Sequence, residues 1–247
     1  PFLMGTILLI DQKNGQLLSV MDSGLITAMR TGAAGAIGVE YLANPDAKKI
    51  ALIGAGVQAE WQIKALHAIE RVNHICIYDV IESQSKKLSE KLSNELKVST
   101  DTAASAKDAI RRSDVVIFTT QSKTPIVTAD MLRPGLHINA FGADQAGKVE
   151  LDAEVINQNL VVLDDRDLAL TDGALNVAYK NDLLNSKQNF LEIGEVIAGK
   201  IGRTSPKQIT IFGNVGLAFQ DLVACSMVYK NALELGKGVW VELDNSI

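Results

Sequence analysis

Two glycines and an alanine directly after an apolar run are the residues whose spacing most clearly suggests a function. The apolar residues 50–53 predict a buried strand, and a helical pattern begins soon after them. Between the two, Gly54, Gly56 and Ala59 have the spacing G-x-G-x-x-A. Gly54 allows a tight turn, Gly56 lets the backbone approach a pyrophosphate, and Ala59 keeps the helix close to the sheet. Since free N–H groups at a helix N-terminus attract phosphates, the segment predicts a dinucleotide-binding turn.

An acidic residue indicates which dinucleotide. Asp79 ends a second β-rich run, residues 75–80, at about the distance from the glycines that this motif requires. A carboxylate there accepts hydrogen bonds from the ribose hydroxyls of adenosine and repels a 2′-phosphate, which favours NAD over NADP. No Arg or Lys follows directly, because residues 80–82 are Val, Ile and Glu. The alternative is a surface aspartate at the end of a strand.

Polar residues after later predicted strands are candidates for chemistry. Residues 119–122 (Thr-Thr-Gln-Ser) either face the cofactor or cap a strand end. Asp144 lies in a Gly/Ala-rich loop, where it could move a proton on or off a substrate amine or could be an ordinary turn residue. Lys148 could bind a phosphate or a substrate carboxylate, or simply be solvated.

Two further features suggest ligand contacts. Arg30 lies in an otherwise apolar, small-residue helical segment, and a buried guanidinium needs an anionic partner. That partner is either a substrate carboxylate, held by a bidentate clamp, or an internal acid such as Asp22. Residues 213–216 (Gly-Asn-Val-Gly) form a second glycine-rich junction between a strand and a helix, where Asn214 either contacts a ligand or caps the helix.

The elements that position these residues alternate between strand and helix. A hairpin is predicted over residues 5–21 and a small-residue helix over 25–43, ahead of βα units with strands near 49–53, 74–78, 114–119, 136–141 and 160–164. Shorter helices are predicted near 128–132 and around 173–180, and residues 208–213 and 215–235 predict a final strand and a long helix. The fold class is therefore α/β, a doubly wound parallel Rossmann sheet. By analogy with other Rossmann proteins, the segments on its two sides are expected to fold together, so that the sheet is inserted in a discontinuous α+β substrate and dimerisation domain. Its expected parts are residues 1–45, the NAD-binding domain 46–185, and the returning segment 186–247.

Composition excludes several classes of function. The 247 residues are 47% hydrophobic and 21% charged with a formal net charge of −5, which argues against a nucleic-acid partner. No apolar stretch approaches the length of a membrane span, and no basic-plus-apolar leader is recognisable. The two cysteines lack the spacing of a metal or redox motif and predict buried thiols in a reducing, cytoplasmic compartment. The three histidines are scattered, so no metal site is expected.

Five segments in this order closely resemble the ornithine cyclodeaminase/mu-crystallin family: LITAMRTGAAGA, IALIGAGVQAEWQ, NAFGADQAGKVELD, EIGEVIAGKIGR and ITIFGNVGLAFQDL. The resemblance runs essentially from end to end. Members include ornithine and lysine cyclodeaminases, alanine dehydrogenases, ketimine or Δ1-pyrroline-2-carboxylate reductases, and mu-crystallins.

The resemblance implies roles for individual residues. Asp144 matches the aspartate that donates and accepts the proton, and Arg30 matches the residue that holds the substrate carboxylate. Asn214 and Val215 match the loop that closes over nicotinamide and substrate. The positions that match dinucleotide contacts are Arg30, Thr31, Gly54, Gly56, Val57, Gln58, Asp79, Thr120, Ile138, Asn139, Ala140, Phe141, Lys148 and Asn214.

The chain departs from the family pattern in two ways. Members normally carry several tens of residues before the point where this chain begins, including further basic residues that bind the carboxylate, so the substrate domain is expected to be N-terminally incomplete. Many members also have Asp-Ser where this chain has Gly213-Asn214. An amide offers different hydrogen bonds from a hydroxyl, which bears on the identity of the substrate.

The expected activity is that of an NAD-dependent cyclodeaminase. It would abstract a hydride from the Cα of an L-amino acid to give an imine, converting L-ornithine to L-proline and ammonia. The alternatives are an alanine dehydrogenase, a ketimine or Δ1-pyrroline-2-carboxylate reductase, a mu-crystallin-like binding protein that depends on a dinucleotide, and an inactive fragment. The expected partners are a small amino or imino acid and a second copy of the chain in a homodimer.

Overall fold

The structure is a computed structural model that describes residues 4–199 and 202–242. The strands are β1 (Thr6–Ile10), β2 (Leu17–Asp22), β3 (Lys49–Ile53), β4 (His74–Tyr78), β5 (Ser99–Thr102), β6 (Val115–Phe118), β7 (His137–Ala140), β8 (Leu160–Leu163), β9 (Leu191–Glu192) and β10 (Thr210–Gly213). The helices are α1 (Ser23–Leu42), α2 (Val57–Ala68), α3 (Glu82–Leu96), α4 (Ala106–Arg111), α5 (Ala153–Asn157), α6 (Arg166–Thr171), α7 (Asn176–Lys180), α8 (Ile193–Ile197) and α9 (Ala218–Glu234).

A parallel sheet organises the larger part of the described chain. Its eight strands have the order β5-β4-β3-β6-β7-β10-β8-β9. From β3 the chain winds first towards β5 and then, from β6, in the opposite direction, which confirms the predicted doubly wound α/β sheet. In such sheets ligands bind at the carboxyl ends of the strands, at the point where the strand order reverses. Here that point lies between β3 and β6.

Both faces of this sheet are covered, as the continuous apolar runs of its central strands require. Alternate residues of each strand point to opposite faces, so β3 contributes Ile50 and Leu52 to one buried cluster and Ala51 and Ile53 to another. The first cluster also contains residues of α1, α2 and α3, and the second contains residues of α4 to α7. The central strands β6, β7 and β10 are thus buried throughout and carry the loops at the carboxyl edge of the sheet.

The small residues of α1 permit close packing. A Cβ atom at Gly32 would overlap the backbone of α2 at Trp61, and one at Gly38 would overlap Phe212 of β10. The glycines of this helix therefore let α1 approach α2 and the sheet, which offsets their cost of about 1 kcal/mol each relative to alanine.

The chain divides into two compact units. One contains residues up to Arg30 together with those from Ala218 onwards, and the other contains Thr31–Leu217. In the first unit β1 and β2 pair as an antiparallel hairpin, as predicted. In the second unit the sheet includes β9 and β10, so it extends beyond the interval 46–185 proposed for the NAD-binding domain. The expected domain boundaries stay a prediction.

Several elements differ from the sequence prediction. Strand β5 was not expected because its sequence, Ser-Thr-Asp-Thr, has no apolar run; it is an edge strand that pairs only with β4 among the described strands. The helix expected near 173–180 is shorter, and α6 precedes it. The helix expected near 128–132 is a single 3-10 turn, Ala129–Met131. In the described part of the chain, no helix has both the length and the hydropathy to cross a bilayer.

Candidate cofactor and proton-transfer site

The two glycines after β3 have different reasons for lacking a side chain. Gly54 has φ +98°, and a Cβ atom there would lie 2.9 Å from the carbonyl oxygen of Thr119. Its conformation and its neighbours within the chain therefore both require glycine. Gly56 has φ −83°, and a Cβ atom there would meet no protein atom within 4 Å. The space beside Gly56 thus lies open at the N-terminus of α2, where a pyrophosphate would approach.

Residues beside this space also suit a polar ligand. The side-chain oxygen Oε1 of Gln58 is buried and has no hydrogen-bond partner among the described residues. Buried polar atoms are normally paired, so a partner from outside the chain would satisfy this one. Val57, at the same turn, is 67% exposed although it is apolar. These observations fit the predicted contacts of both residues with a dinucleotide.

The Asp79 carboxylate is oriented by backbone N–H groups at the carboxyl end of β4. Its Oδ2 accepts a hydrogen bond from the N–H of Ala55 at 2.8 Å, and its Oδ1 accepts one from the N–H of Ile81 at 2.8 Å. The first of these bonds ties the acid directly to the glycine turn. A carboxylate has about four acceptor positions, so capacity remains for ribose hydroxyls.

The residues predicted as dinucleotide contacts along β7 lie largely in the core. Ile138 and Ala140 are fully buried in the strand. The Nδ2 of Asn139 donates to the carbonyl oxygen of Gly35 at 3.0 Å, and its Oδ1 is 2.9 Å from Nε2 of His137. Phe141 packs edge-to-face against Phe212. The side chain of Asn139 thus ties β7 to α1, and the proposed contacts of these residues with the dinucleotide stay a prediction.

Asp144 forms an ion pair with Lys148 in the loop after β7. The Lys148 ammonium contacts Oδ1 of Asp144, and the Lys148 side chain is 10% exposed against 42% for that of Asp144. The Lys148 side chain is therefore largely buried and paired within the chain, and its predicted contact with the dinucleotide stays a prediction. Asn176, at the start of α7, holds the same loop: its Oδ1 accepts from the N–H of Gly147, and its Nδ2 donates to the carbonyl oxygen of Lys148, both at 2.8 Å.

A second loop is held by a buried acid that the sequence analysis did not single out. Asp164, at the end of β8, accepts hydrogen bonds on Oδ2 from Nδ2 of Asn214 and from the N–H groups of Val215 and Gly216. Burial raises the pKa of the Asp164 carboxyl, and the N–H groups of Gly216 and Val215 oppose that rise. The amide of Asn214 is therefore positioned by Asp164.

A second buried acid, Glu150, also lay outside the predicted site. It accepts hydrogen bonds from Thr120, one of the predicted cofactor contacts, and from Gly142. Its position between Val149 and Leu151 is a weak sequence signal of burial. Within the described residues, no group of three or more His, Cys, Asp or Glu side chains is arranged to hold a metal ion.

Arg30 pairs with an acid of the chain itself, which was one of the two alternatives. That acid is Asp221, whereas the sequence analysis suggested Asp22. The Nε of Arg30 donates to Oδ1 of Asp221 at 3.1 Å, and its Nη1 donates to Oε1 of Gln220 at 3.1 Å. Asp22 instead accepts from the N–H of Gly24. Thr31, the next residue of α1, is 9% exposed and its carbonyl oxygen accepts from Gln62. Contacts of Arg30 and Thr31 with substrate or cofactor stay predictions.

The fold and the glycine turn define a dinucleotide-binding α/β protein of the Rossmann type. Its family is shown by comparison with known proteins: the model of the ornithine cyclodeaminase/mu-crystallin family matches residues 1–236. The chain belongs to this family, which confirms the resemblance predicted from the sequence.

Relatives in this family are enzymes that act on amino or imino acids. The chain is 39% identical over 240 residues to an alanine dehydrogenase of Archaeoglobus fulgidus, covering 96% of this chain and 73% of that protein. Among solved structures, an archaeal alanine dehydrogenase dimer with bound NAD is 38% identical with a TM-score of 0.94, covering 99% of this chain and 76% of that one. The Δ1-pyrroline-2-carboxylate reductase of Thermococcus litoralis, solved with NADH and L-proline, is 34% identical with a TM-score of 0.91, covering 96% and 74%.

Proposed function

We propose that this protein is an NAD-dependent enzyme that interconverts an L-amino acid and its imino acid. The observation that carries the proposal is the placement of two features at one edge of the sheet. The glycine turn follows β3 and the Asp144 loop follows β7, and β6 alone separates these strands in the parallel sheet. A cofactor bound along the turn would therefore lie at the edge that also carries a proton-transferring acid.

The residues of the chain would hold the cofactor at its two polar parts. The open space at Gly56 and the N-terminus of α2 suit the pyrophosphate, and the Asp79 carboxylate suits the adenosine ribose. When bound, NAD supplies the hydride acceptor, and in its reduced form the hydride donor.

Asp144 would act on the substrate nitrogen. In the direction of oxidation it takes a proton from the ammonium group, and in the direction of reduction it returns one to the nitrogen. Its present partner is the ammonium group of Lys148. A substrate ammonium has the same charge and the same three N–H donors, so it can compete with Lys148 for this carboxylate.

The fate of the imine distinguishes the candidate activities. Addition of water gives a 2-oxo acid and ammonia, as in a dehydrogenase, and reduction of a preformed cyclic imine is the reaction of a reductase. Attack by a side-chain amine with return of the hydride gives cyclodeamination. We favour dehydrogenation or reduction, because the alanine dehydrogenase and the Δ1-pyrroline-2-carboxylate reductase are 39% and 34% identical to the chain, whereas a solved lysine cyclodeaminase is 27% identical. Cyclodeamination of L-ornithine is the alternative activity, since the family includes such enzymes.

A panel of substrates tests this proposal. The protein is incubated with NAD⁺ and L-alanine or L-ornithine, and with NADH and Δ1-pyrroline-2-carboxylate or pyruvate plus ammonia, while NADH absorbance and ammonia are followed together. Stoichiometric formation or use of NADH supports the dehydrogenase or reductase. Ammonia from L-ornithine without lasting NADH identifies the cyclodeaminase. Tight binding of NADH without any turnover would contradict an enzyme and favour a mu-crystallin-like binding protein.

We also propose a homodimer assembled through the unit that contains α9. On this helix Phe219, Leu222, Val223 and Met227 share one face by their spacing, and each is more than half exposed. Contiguous exposed apolar faces mark interaction surfaces. Light scattering coupled to size exclusion is expected to give twice the chain mass, and Val223→Glu with Met227→Glu is expected to give a monomer. A wild-type monomer at micromolar concentration would contradict the proposal.

A further inference from the structure

Glu150 joins two loops at the edge of the sheet where the proposed chemistry takes place. Its Oε1 accepts hydrogen bonds from the N–H and the hydroxyl of Thr120, each at 2.8 Å. Its Oε2 accepts one from the N–H of Gly142 at 3.0 Å. Thr120 follows β6 and Gly142 follows β7, so one side chain holds the ends of two adjacent strands together.

The environment of Glu150 requires a carboxylate. The residue is 1% exposed, and all the groups that face its two oxygens in these contacts are donors. A carboxylate accepts only, whereas an amide of the same shape would turn an NH2 group towards one of these donors. Burial raises the pKa of Glu150 to about 7, and the hydrogen bonds from Thr120 and Gly142 oppose that rise.

Gly142 shows how tightly the three residues fit. A Cβ atom at this position would overlap Oε1 of Glu150 and the backbone of Thr120. The absent side chain thus lets the loop after β7 close onto the carboxylate. Asp144 lies two residues further along this loop, and its N–H donates to the carbonyl oxygen of Gly142 at 3.1 Å. The hydrogen bond to Glu150 therefore fixes Gly142, the residue whose carbonyl oxygen holds the backbone of Asp144.

We propose that Glu150 is a positioning residue: by binding Thr120 and Gly142 it fixes the loop that presents Asp144 to the substrate nitrogen. The expected loss of turnover rests on the proposed function, whereas the expected loosening of the two loops does not. A shift of about 1 Å in a catalytic group costs on the order of 100-fold in rate, so loss of this contact is expected to lower kcat more than it changes binding.

The test compares Glu150→Gln with Glu154→Gln, an exposed glutamate of α5, as the matched control. Glu150→Gln is expected to lower kcat about 10- to 100-fold with little change in the KM of the substrate. If Glu150 acts through Asp144, adding Glu150→Gln to Asp144→Asn lowers kcat by less than about twofold more. An unchanged kcat in the single variant, or a full additional loss in the double variant, would overturn the positioning role.

Hydrogen exchange supplies a readout that needs no substrate. In Glu150→Gln the amides of Thr120 and Gly142 are expected to exchange at least about tenfold faster, while strands β3 and β4 keep their protection. Unchanged protection at both amides would contradict the proposal that Glu150 holds Thr120 and Gly142. If Glu150→Gln does not fold, Thr120→Val keeps the Glu150 carboxylate and removes the hydroxyl that donates to it and that accepts from the N–H of Ser122. This variant is also expected to raise exchange at Gly142. A wild-type protein without turnover would refute the proposed function. The exchange experiment would still decide whether Glu150 holds the two loops together.

Discussion

The Oδ2 atom of Asp164 lies 2.8 Å from Nδ2 of Asn214, and the same oxygen accepts the N–H groups of Val215 and Gly216. One carboxylate oxygen thus fixes the whole junction after β10. The junction differs from the Asp-Ser sequence of many family members, and the structure shows that the Asn214 amide is used to bind Asp164.

Replacing this acid is expected to loosen the junction. Asp164→Asn turns an amide NH2 towards N–H donors, and leaving buried donors unpaired costs about 1–3 kcal/mol. We therefore expect a lower denaturation midpoint in urea, whereas Asp167→Asn, an exposed aspartate of α6, leaves it unchanged. Equal midpoints for the two variants would show that the contacts of Asp164 contribute nothing to stability.

The two glycines of the cofactor turn are expected to respond differently to alanine. Gly56→Ala adds a Cβ into open space, so it should leave the melting temperature unchanged and weaken NADH binding by about tenfold or more. Gly54→Ala strains a positive φ and approaches Thr119, and should cost at least about 1–2 kcal/mol of stability. Calorimetry and a fluorescence titration with NADH separate the two effects. Wild-type NADH affinity in Gly56→Ala would rule out a pyrophosphate at this turn.

Asp79 is expected to determine the choice of dinucleotide. In Asp79→Ser the ribose loses its charged carboxylate acceptor and a 2′-phosphate is no longer repelled, so the Kd of NADH should rise about tenfold and that of NADPH should fall. Glu82→Gln, three residues further along, is the matched control. Titrations in which wild-type protein prefers NADPH would contradict the assigned role.

The contribution of His137 to stability is expected to decrease as the pH falls. Burial lowers the pKa of this imidazole from 6.5 to about 3, so between these values the unfolded chain binds more protons than the folded chain. The contribution of His137 is therefore complete above about pH 6.5 and is lost as the pH falls. Glu150, whose pKa is raised from 4.5 to about 7, acts in the opposite direction between those values.

A variant isolates the contribution of His137. In urea titrations, the difference in unfolding free energy between wild type and His137→Gln should shrink by about 2 kcal/mol from pH 6.5 to about pH 5. Parallel pH profiles for the two proteins would show that the buried imidazole does not resist protonation.

The sequence predicts the parts of the fold that depend on local patterns. The apolar runs of β3, β4 and β6 identify their strands, and the glycine spacing identifies the turn after β3. β5 was missed because a polar edge strand is stabilised by its pairing with β4 and has no apolar pattern of its own. Arg30 was known to need an anion, but Asp221 lies 191 residues away, and only the fold brings them together.

The acids of the site also show which residues a sequence pattern can identify. Asp144 could be identified because its loop carries a recognisable motif. Glu150 and Asp164 could not, because their partners come from other loops and their function depends on which strands are neighbours. Burial of a charge is decided by tertiary packing, so no local pattern identified these residues.

The most direct test of the central claim is turnover by Asp144→Asn on the best substrate of the panel, with NADH affinity measured on the same sample. The account predicts a kcat lower by about 10²–10⁴-fold, because a proton-transferring group is lost, and an NADH Kd within about threefold of wild type. A loss of less than about tenfold in kcat would show that Asp144 does not carry the proton.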